Sequence, residues 1–368
     1  MSNNVKADEK NQQSVIGKKV LNRTKQLLYA LIIPVALTLI FVISVSAQGR
    51  ALFNSQSDYQ IFVKQVVVAL LIAFAFGIHM NQGRMDFSIG ATMILGEIVS
   101  SMIIVKTGNT NNIVLFFIVI VLVTCLLSVF GGVIYVVLRI PPMISGLGMT
   151  LLYEGIAYQL CENDAGVSRY DLVSNNFTIT FSGIAQMLIL ALVMMLIMLA
   201  IYKYSKWSFD SSLLQNGQIQ AVQCGVKEIP NTLIGYALAG ILIGVAGFVT
   251  VCNASNIDAK VGFGSTSVMI SAMLPMFIGG FISTFISYPF AIFFGAFSST
   301  MLSYGLTKTF IRTNGSTVSA ILNSLFLLFF LAFMFNQVHI KEIVHLKTFI
   351  KNKKEKKELR REMEGLEN

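Results

Sequence analysis

The sequence predicts an all-α polytopic membrane protein, and three observations carry that prediction. Of the 368 residues, 55% are hydrophobic and only 12% are charged. Apolar runs of about 20 residues, the length a helix needs to cross a hydrocarbon core, recur along most of the chain. The runs are continuous rather than alternating, which does not suit barrel strands and leaves helices to satisfy the backbone in lipid.

About ten spans (eight to ten) can be drawn, at 27–47, 64–80, 88–105, 113–138, 143–160, 180–202, 232–252, 266–283, 287–303 and 317–336. Residues 1–26 form a polar N-terminal tail, too long and too acidic for a signal-peptide leader. No small-residue cleavage site follows the first run, which is expected to stay as an anchor within a transmembrane domain spanning 27–336. The pair at 266–303 is the most broken, because Pro275, Gly279, Gly280 and Pro289 interrupt a helix unless neighbours restore the lost bonds. Residues 203–230 make the longest internal loop. A basic tail follows at 337–368, where Ile340, Ile343, Val344 and Ile350 fit one face of a helix lying on lipid headgroups.

Charge orients this layout. Of 27 Lys and Arg, six lie in 1–26 and nine in 341–361, so both termini are placed in the cytoplasm. Basic ends of this kind are membrane flanks, and no basic groove with interleaved stacking aromatics points to nucleic acid. The four cysteines lack metal-ligand spacing, and no disulfide between Cys161 and Cys252 is expected. His79, His339 and His345 read as helix-end or solvated groups. With no His-Glu-x-x-His and no Gly-x-Ser-x-Gly, no catalytic, cofactor-binding or metal-binding residue is expected.

Three stretches carry more information. In "NQGRMDFSIGAT" (81–92), Arg84 supplies inside charge and Asp86 caps the helix starting near Ser88, or the segment is partly re-entrant beside a translocation path. In "LRIPPMISGLGMTLLYEGIA" (138–157), Arg139 ends a span and Pro141 and Pro142 stop helix continuation, while Gly146, Gly148 and Gly155 allow close helix packing. Glu154 and Glu97 then fall inside spans, where acids face a cavity or a partner. In "QNGQIQAVQCGVKEIP" (215–230), Asn216 or Gly217 opens a short helix, Ala221 gives it a small face, and Gly225 ends it before Pro230. Such a helix is either a docking peg for another protein or a connector.

"GRMDFSIGA", "LRIPPMISGLGM", "AVQCGV" and "GFGSTSVMISAMLPMFIGG" follow one another as in ABC-transporter permease subunits of the ribose/xylose/galactose class, which residues 60–335 resemble. Gly83, Met85, Asp86, Phe87, Ser88, Ile89 and Gly90 match the first motif of that class in kind, while Arg84 stands where its second glycine would be. Gly131-Gly132 replaces an Asn-Gly pair. Gln220 replaces an alanine of the coupling helix, whose asparagine sits one place early. Gly262, Gly264, Gly279 and Gly280 match the later glycines without the acid common between them.

The resemblance implies a permease dimer in a bacterial cytoplasmic membrane, surrounded by lipid and importing a monosaccharide or similar small polar solute. A solute-binding protein delivers the solute from outside, and a cytoplasmic ABC ATPase subunit carries ATP and magnesium. This chain has no phosphate-binding Gly-x-x-x-x-Gly-Lys-Ser/Thr loop of its own. ATPase coupling falls to Asn216, Gly217, Gln220, Ala221 and Gly225. Candidates for the path are Asn81, Asp86, Ser88, Gly90, Glu97, Tyr153 and Glu154. Arg139, Pro141, Pro142, Gly146, Gly148, Gly279 and Gly280 are the motif residues that shape the helices. A nucleoside or signalling-sugar permease is the alternative within the superfamily, and a stand-alone secondary transporter or channel the alternative outside it.

Overall fold

The apolar runs become helices in a computed structural model that describes residues 26–164, 167–173 and 175–310, with 317–318, 320–322, 324–329 and 332. The chain divides into two units, residues 1–319 and 320–368. In the second unit an apolar helix runs over Ala320–Phe329. The amphipathic tail expected at 337–368 and residues 1–25 of the N-terminal tail lie outside the described residues.

In the first unit the helices are α1 (Gln26–Ser46), α2 (Gln56–Met80), α3 (Ile89–Lys106), α4 (Ile113–Leu138), α5 (Pro142–Leu160), α6 (Ile184–Tyr204), α7 (Lys206–Asn216), α8 (Gln218–Gln223), α9 (Glu228–Val251), α10 (Thr266–Ile282) and α11 (Tyr288–Thr309). Seven of them, α1, α2, α3, α4, α6, α9 and α11, are long and apolar enough to cross a membrane. The rest of the ten drawn spans are α5, diluted by glycines, Glu154 and Gln159, the 17-residue α10, and the helix over 320–329.

Two kinds of long helix emerge. The apolar stretches of α2, α3, α9 and α11 are 67–72% buried, those of α1, α4 and α6 only 22–28%. From Thr124 onward the long helix α4 is arranged inside out: Thr124, Ser128, Gly131 and Gly132 are buried, whereas Leu126 and Val137 are exposed. Lipid is as apolar as leucine, so small and polar side chains gain most by turning toward protein. They meet α9, with Ser128 Oγ donating to Tyr236 O at 2.7 Å. There a Cβ on Gly240 would stand 2.7 Å from Cys125 Cα, and one on Gly244 2.8 Å from Val121 Cα, so only glycine permits this approach of the two backbones.

Local signals set the ends. Ser55 and Asp58 form a capping box at the start of α2, and Asp58 also receives Lys308 Nζ of α11 at 2.8 Å, tying two helix ends together. Arg139 closes α4 in a left-handed conformation (φ 53°), and Pro142 occupies the first turn of α5, where its missing N–H costs nothing. At the opposite end from these proline residues lies a small antiparallel sheet in the order β1 (Glu162–Asp164), β2 (Val167–Asp171), β3 (Asn256–Asp258). In its register Tyr170 pairs with Ile257. The apolar-run reading gives no sign of this sheet.

Candidate functional site

Arg84 is the first surprise of the α2–α3 turn. Expected as an inside surface charge, it is fully buried, at 0% exposure. An ion in such a place needs partners, and the guanidinium finds them at both Nη atoms while Nε has none. Its Nη2 reaches Glu228 Oε1 at 2.9 Å, Nη1 donates to Thr232 Oγ1 at 2.6 Å and Gln82 Oε1 at 3.3 Å, and the guanidinium lies 5.2 Å over the Tyr135 ring. Both Glu228 and Thr232 belong to the first turns of α9.

Asp86, 2% exposed, accepts from the backbone N–H of Ser88 through Oδ1 at 2.8 Å, just before α3 begins at Ile89. Its other oxygen is 3.9 Å from His79 Nε2. Helix α5 lies on the same turn: a Cβ on Gly146 would come within 2.7 Å of Asp86 Oδ1, and Thr150 Oγ1 donates to Phe87 O at 3.0 Å. Tyr153, also buried, donates to Leu127 O at 2.6 Å, and Asn81 Nδ2 donates to Tyr202 Oη at 2.9 Å.

The two intramembrane acids have different surroundings. Glu154 takes the backbone N–H of Phe263 on Oε2 at 2.9 Å and that of Ser265 on Oε1 at 2.7 Å. A carboxylate at a helix start is favourable, and here it holds the loop into α10, where Gly262 and Phe263 are both left-handed (φ 64° and 67°). Gly90 packs against the Ser265 carbonyl of that loop. Glu97 stands away from this group, buried on α3 beside Gly247, and its Oε1 has no hydrogen-bond partner. Among the path candidates, then, Asp86, Ser88, Gly90 and Glu154 hold one continuous set of helix starts, while Asn81, Tyr153 and Glu97 face other neighbours.

Gly279 meets Ile292 of α11, with 2.8 Å left between a Cβ and Ile292 Cα. Gly148, Gly155 and Gly280 have open space beside them. The open side of α5 bears Leu151, Leu152 and Gln159 beside its glycines, a face without charge.

Residues 203–230, read as a loop, are largely helical. Of the two residues expected to open α8, Gly217 does so from the N-cap position, while Asn216 ends α7, donating from Nδ2 to Ser212 O at 2.9 Å. The closing half of the expectation matches the geometry: Gly225 is left-handed (φ 88°), its N–H reaching Val222 O at 2.9 Å while Val226 N–H reaches Ala221 O at 3.1 Å. That pair of bonds is a Schellman motif, and it folds Val226 back onto Ala221 and Leu214. Ala221 therefore faces inward, and Gln220 is exposed on the other side beside Ile219, 77% exposed, and Val222.

What the sequence reading missed is how α7 is anchored. Trp207, the only tryptophan, donates from Nε1 to Asn231 O at 2.9 Å, and Ser211 Oγ to Asn231 Oδ1 at 3.0 Å. The signal available was Trp207 and Asn231 bracketing an otherwise polar segment.

A family model described as "Branched-chain amino acid transport system / permease component" matches residues 58–336. A solved structure described as an inward-facing conformation of a metal-chelate type ABC transporter is similar at 18% identity and a TM-score of 0.46, covering 82% of this chain and 96% of that one. No curated protein matches.

Proposed function

The chain belongs to the branched-chain amino acid transport system / permease component family, and from that premise we propose that it is the solute gate of an importer driven through α7 and α8. As an ABC-transporter permease component it is a multi-pass membrane protein whose energy comes from a separate ATPase. The observation that carries the coupling reading is α8 itself. Its inward residue, Ala221, is fixed to the body by the Schellman turn, while Ile219 and Val222 project outward from a surface otherwise made of glutamines. Ile219 and Val222, three apart on one exposed helix face and rimmed by glutamines, give a protein partner an apolar contact. Ile219, Val222 and Gln220 would meet a cytoplasmic ATPase that holds ATP and magnesium, with Gly217 and Gly225 setting the angle of the peg.

The finer reading is a bacterial cytoplasmic-membrane dimer that takes a monosaccharide or similar neutral polar solute from an extracytoplasmic binding protein. Two things support it: the resemblance of the four sequence stretches, and an uncharged open face on α5. Neutral polyols gain little from fixed charge and are held by hydrogen bonds and apolar surfaces. On this reading Asp86, Ser88 and Glu154 act by holding the helix starts beside the path rather than by touching solute.

Cys224, exposed at the end of α8, gives a direct test. A membrane-impermeant maleimide should label it only in inside-out vesicles, and the cognate ATPase should protect it. Labelling from the outer face would end the docking assignment. Thermal shift of the associated binding protein against sugars, nucleosides and branched-chain amino acids separates the solute classes.

A further inference from the structure

Asn231 is shared between two elements that are distant in sequence. From α7 it receives the Trp207 indole on its carbonyl and the Ser211 hydroxyl on Oδ1, and it returns Nδ2 to Trp207 O at 3.2 Å. From the α2–α3 turn it receives Gln82 Nε2 on the same two oxygens, at 2.8 Å to its carbonyl and 2.9 Å to Oδ1. Gln82 is itself fully buried and accepts from Arg84, whose other bonds run to Thr232 and Glu228 on α9. A Cβ on Gly83 would sit 3.5 Å from Gln215 Cα, so the end of α7 lies directly on this turn.

The bonds of Gln82 and Asn231 are buried, and a buried polar group that loses its partner is left without the compensation water would give. Sliding α7 away from the turn would strand several at once. The inexpensive motion is one in which α7, the turn and the first turns of α9 travel together. The turn ends in Asp86, which does not cap α3 as expected but holds the N–H of its N-cap residue, Ser88, and touches Gly146 of α5, so whatever moves it moves the starts of both helices.

We propose that Gln82, Arg84 and Asn231 form the joint through which displacement of α7 and α8 reaches the starts of α3 and α5. This rests on the coupling reading above and adds its internal route. All three are positioning residues. Arg84 belongs specifically to this chain's version of the joint, since it occupies the place of the second glycine in the motif that the turn resembles.

The test uses the permease assembled with its ATPase, comparing amide hydrogen exchange without nucleotide and after trapping with ATP and vanadate. In the unmodified protein both 207–223 and 81–90 should change on trapping. In Gln82→Met, which keeps the α7–α9 bonds and cuts only the turn, the change at 207–223 should persist and that at 81–90 should be lost. Asn231→Ala, which keeps the main-chain acceptor but removes the Oδ1 shared by Gln82 and Ser211, should reduce the response at 81–90, and Asn231→Asp, which retains the Oδ1 acceptor, should restore it. A packing role alone would raise basal exchange while leaving the nucleotide-dependent difference in place. A full response of 81–90 in Gln82→Met overturns the proposal, and that variant carries the test even if Asn231→Ala fails to assemble. Failure of the coupling reading is separate: the ATPase would then leave Cys224 unprotected in the unmodified protein.

Discussion

At its start α9 is held by side-chain hydrogen bonds, from Arg84, Gln82, Trp207 and Ser211, whereas from Gly240 onward it is held by close contact with α4. The first kind of contact is directional and can be exchanged for another set of partners. The second depends on surface fit and has no alternative at comparable separation, because protein interiors tolerate little change of volume. One helix thus combines an end suited to transmitting movement with a shaft suited to resisting it.

The comparison can be broken most severely at Gly244. A leucine there would drive its side chain into the α4 backbone near Val121, and we expect a loss of about 3 kcal/mol or more, read as a collapse of the thermal transition in detergent. Arg84→Met should cost about 2 kcal/mol, since Thr232 and Gln82 lose a charged donor while the apolar stem is kept. Trp207→Phe removes a single indole bond to Asn231 and should cost about 1 kcal/mol in the same assay. Leu126→Ala, on the outward face of α4, should stay within about 0.5 kcal/mol of the parent, and a larger loss would show that α4 has a protein neighbour there. A graded response at the start of α9 and an abrupt one at Gly244 is the expected contrast.

Much of this was legible in the sequence. The expected and observed limits of α4 coincide at 113–138 because an unbroken apolar run ends at Arg139 and two prolines. Gly225 was readable as a helix stop, since only glycine takes φ near +88° without strain. Arg84 was misread because charge in a short polar segment looks like solvent exposure, and its partners Glu228 and Thr232 lie about 145 positions away. Periodicity carries no information over such distances. Glu154 stood out as an acid within a span, but the N–H groups it accepts belong to a loop more than 100 residues later. Helix α7 was read as loop for a local reason: it is too polar to show an apolar stripe, and its stability comes from bonds to Asn231.

The pairing of Val167–Asp171 with Asn256–Asp258 has a mechanical consequence. It fastens the chain leaving α5 to the chain leaving α9, and a strand ladder slips only by whole residues, each step reversing which way every side chain points. Those two helix ends are therefore clasped like the pages at the spine of a book. Any parting of α5 from α9 has to begin at the far margin, where α7 rests.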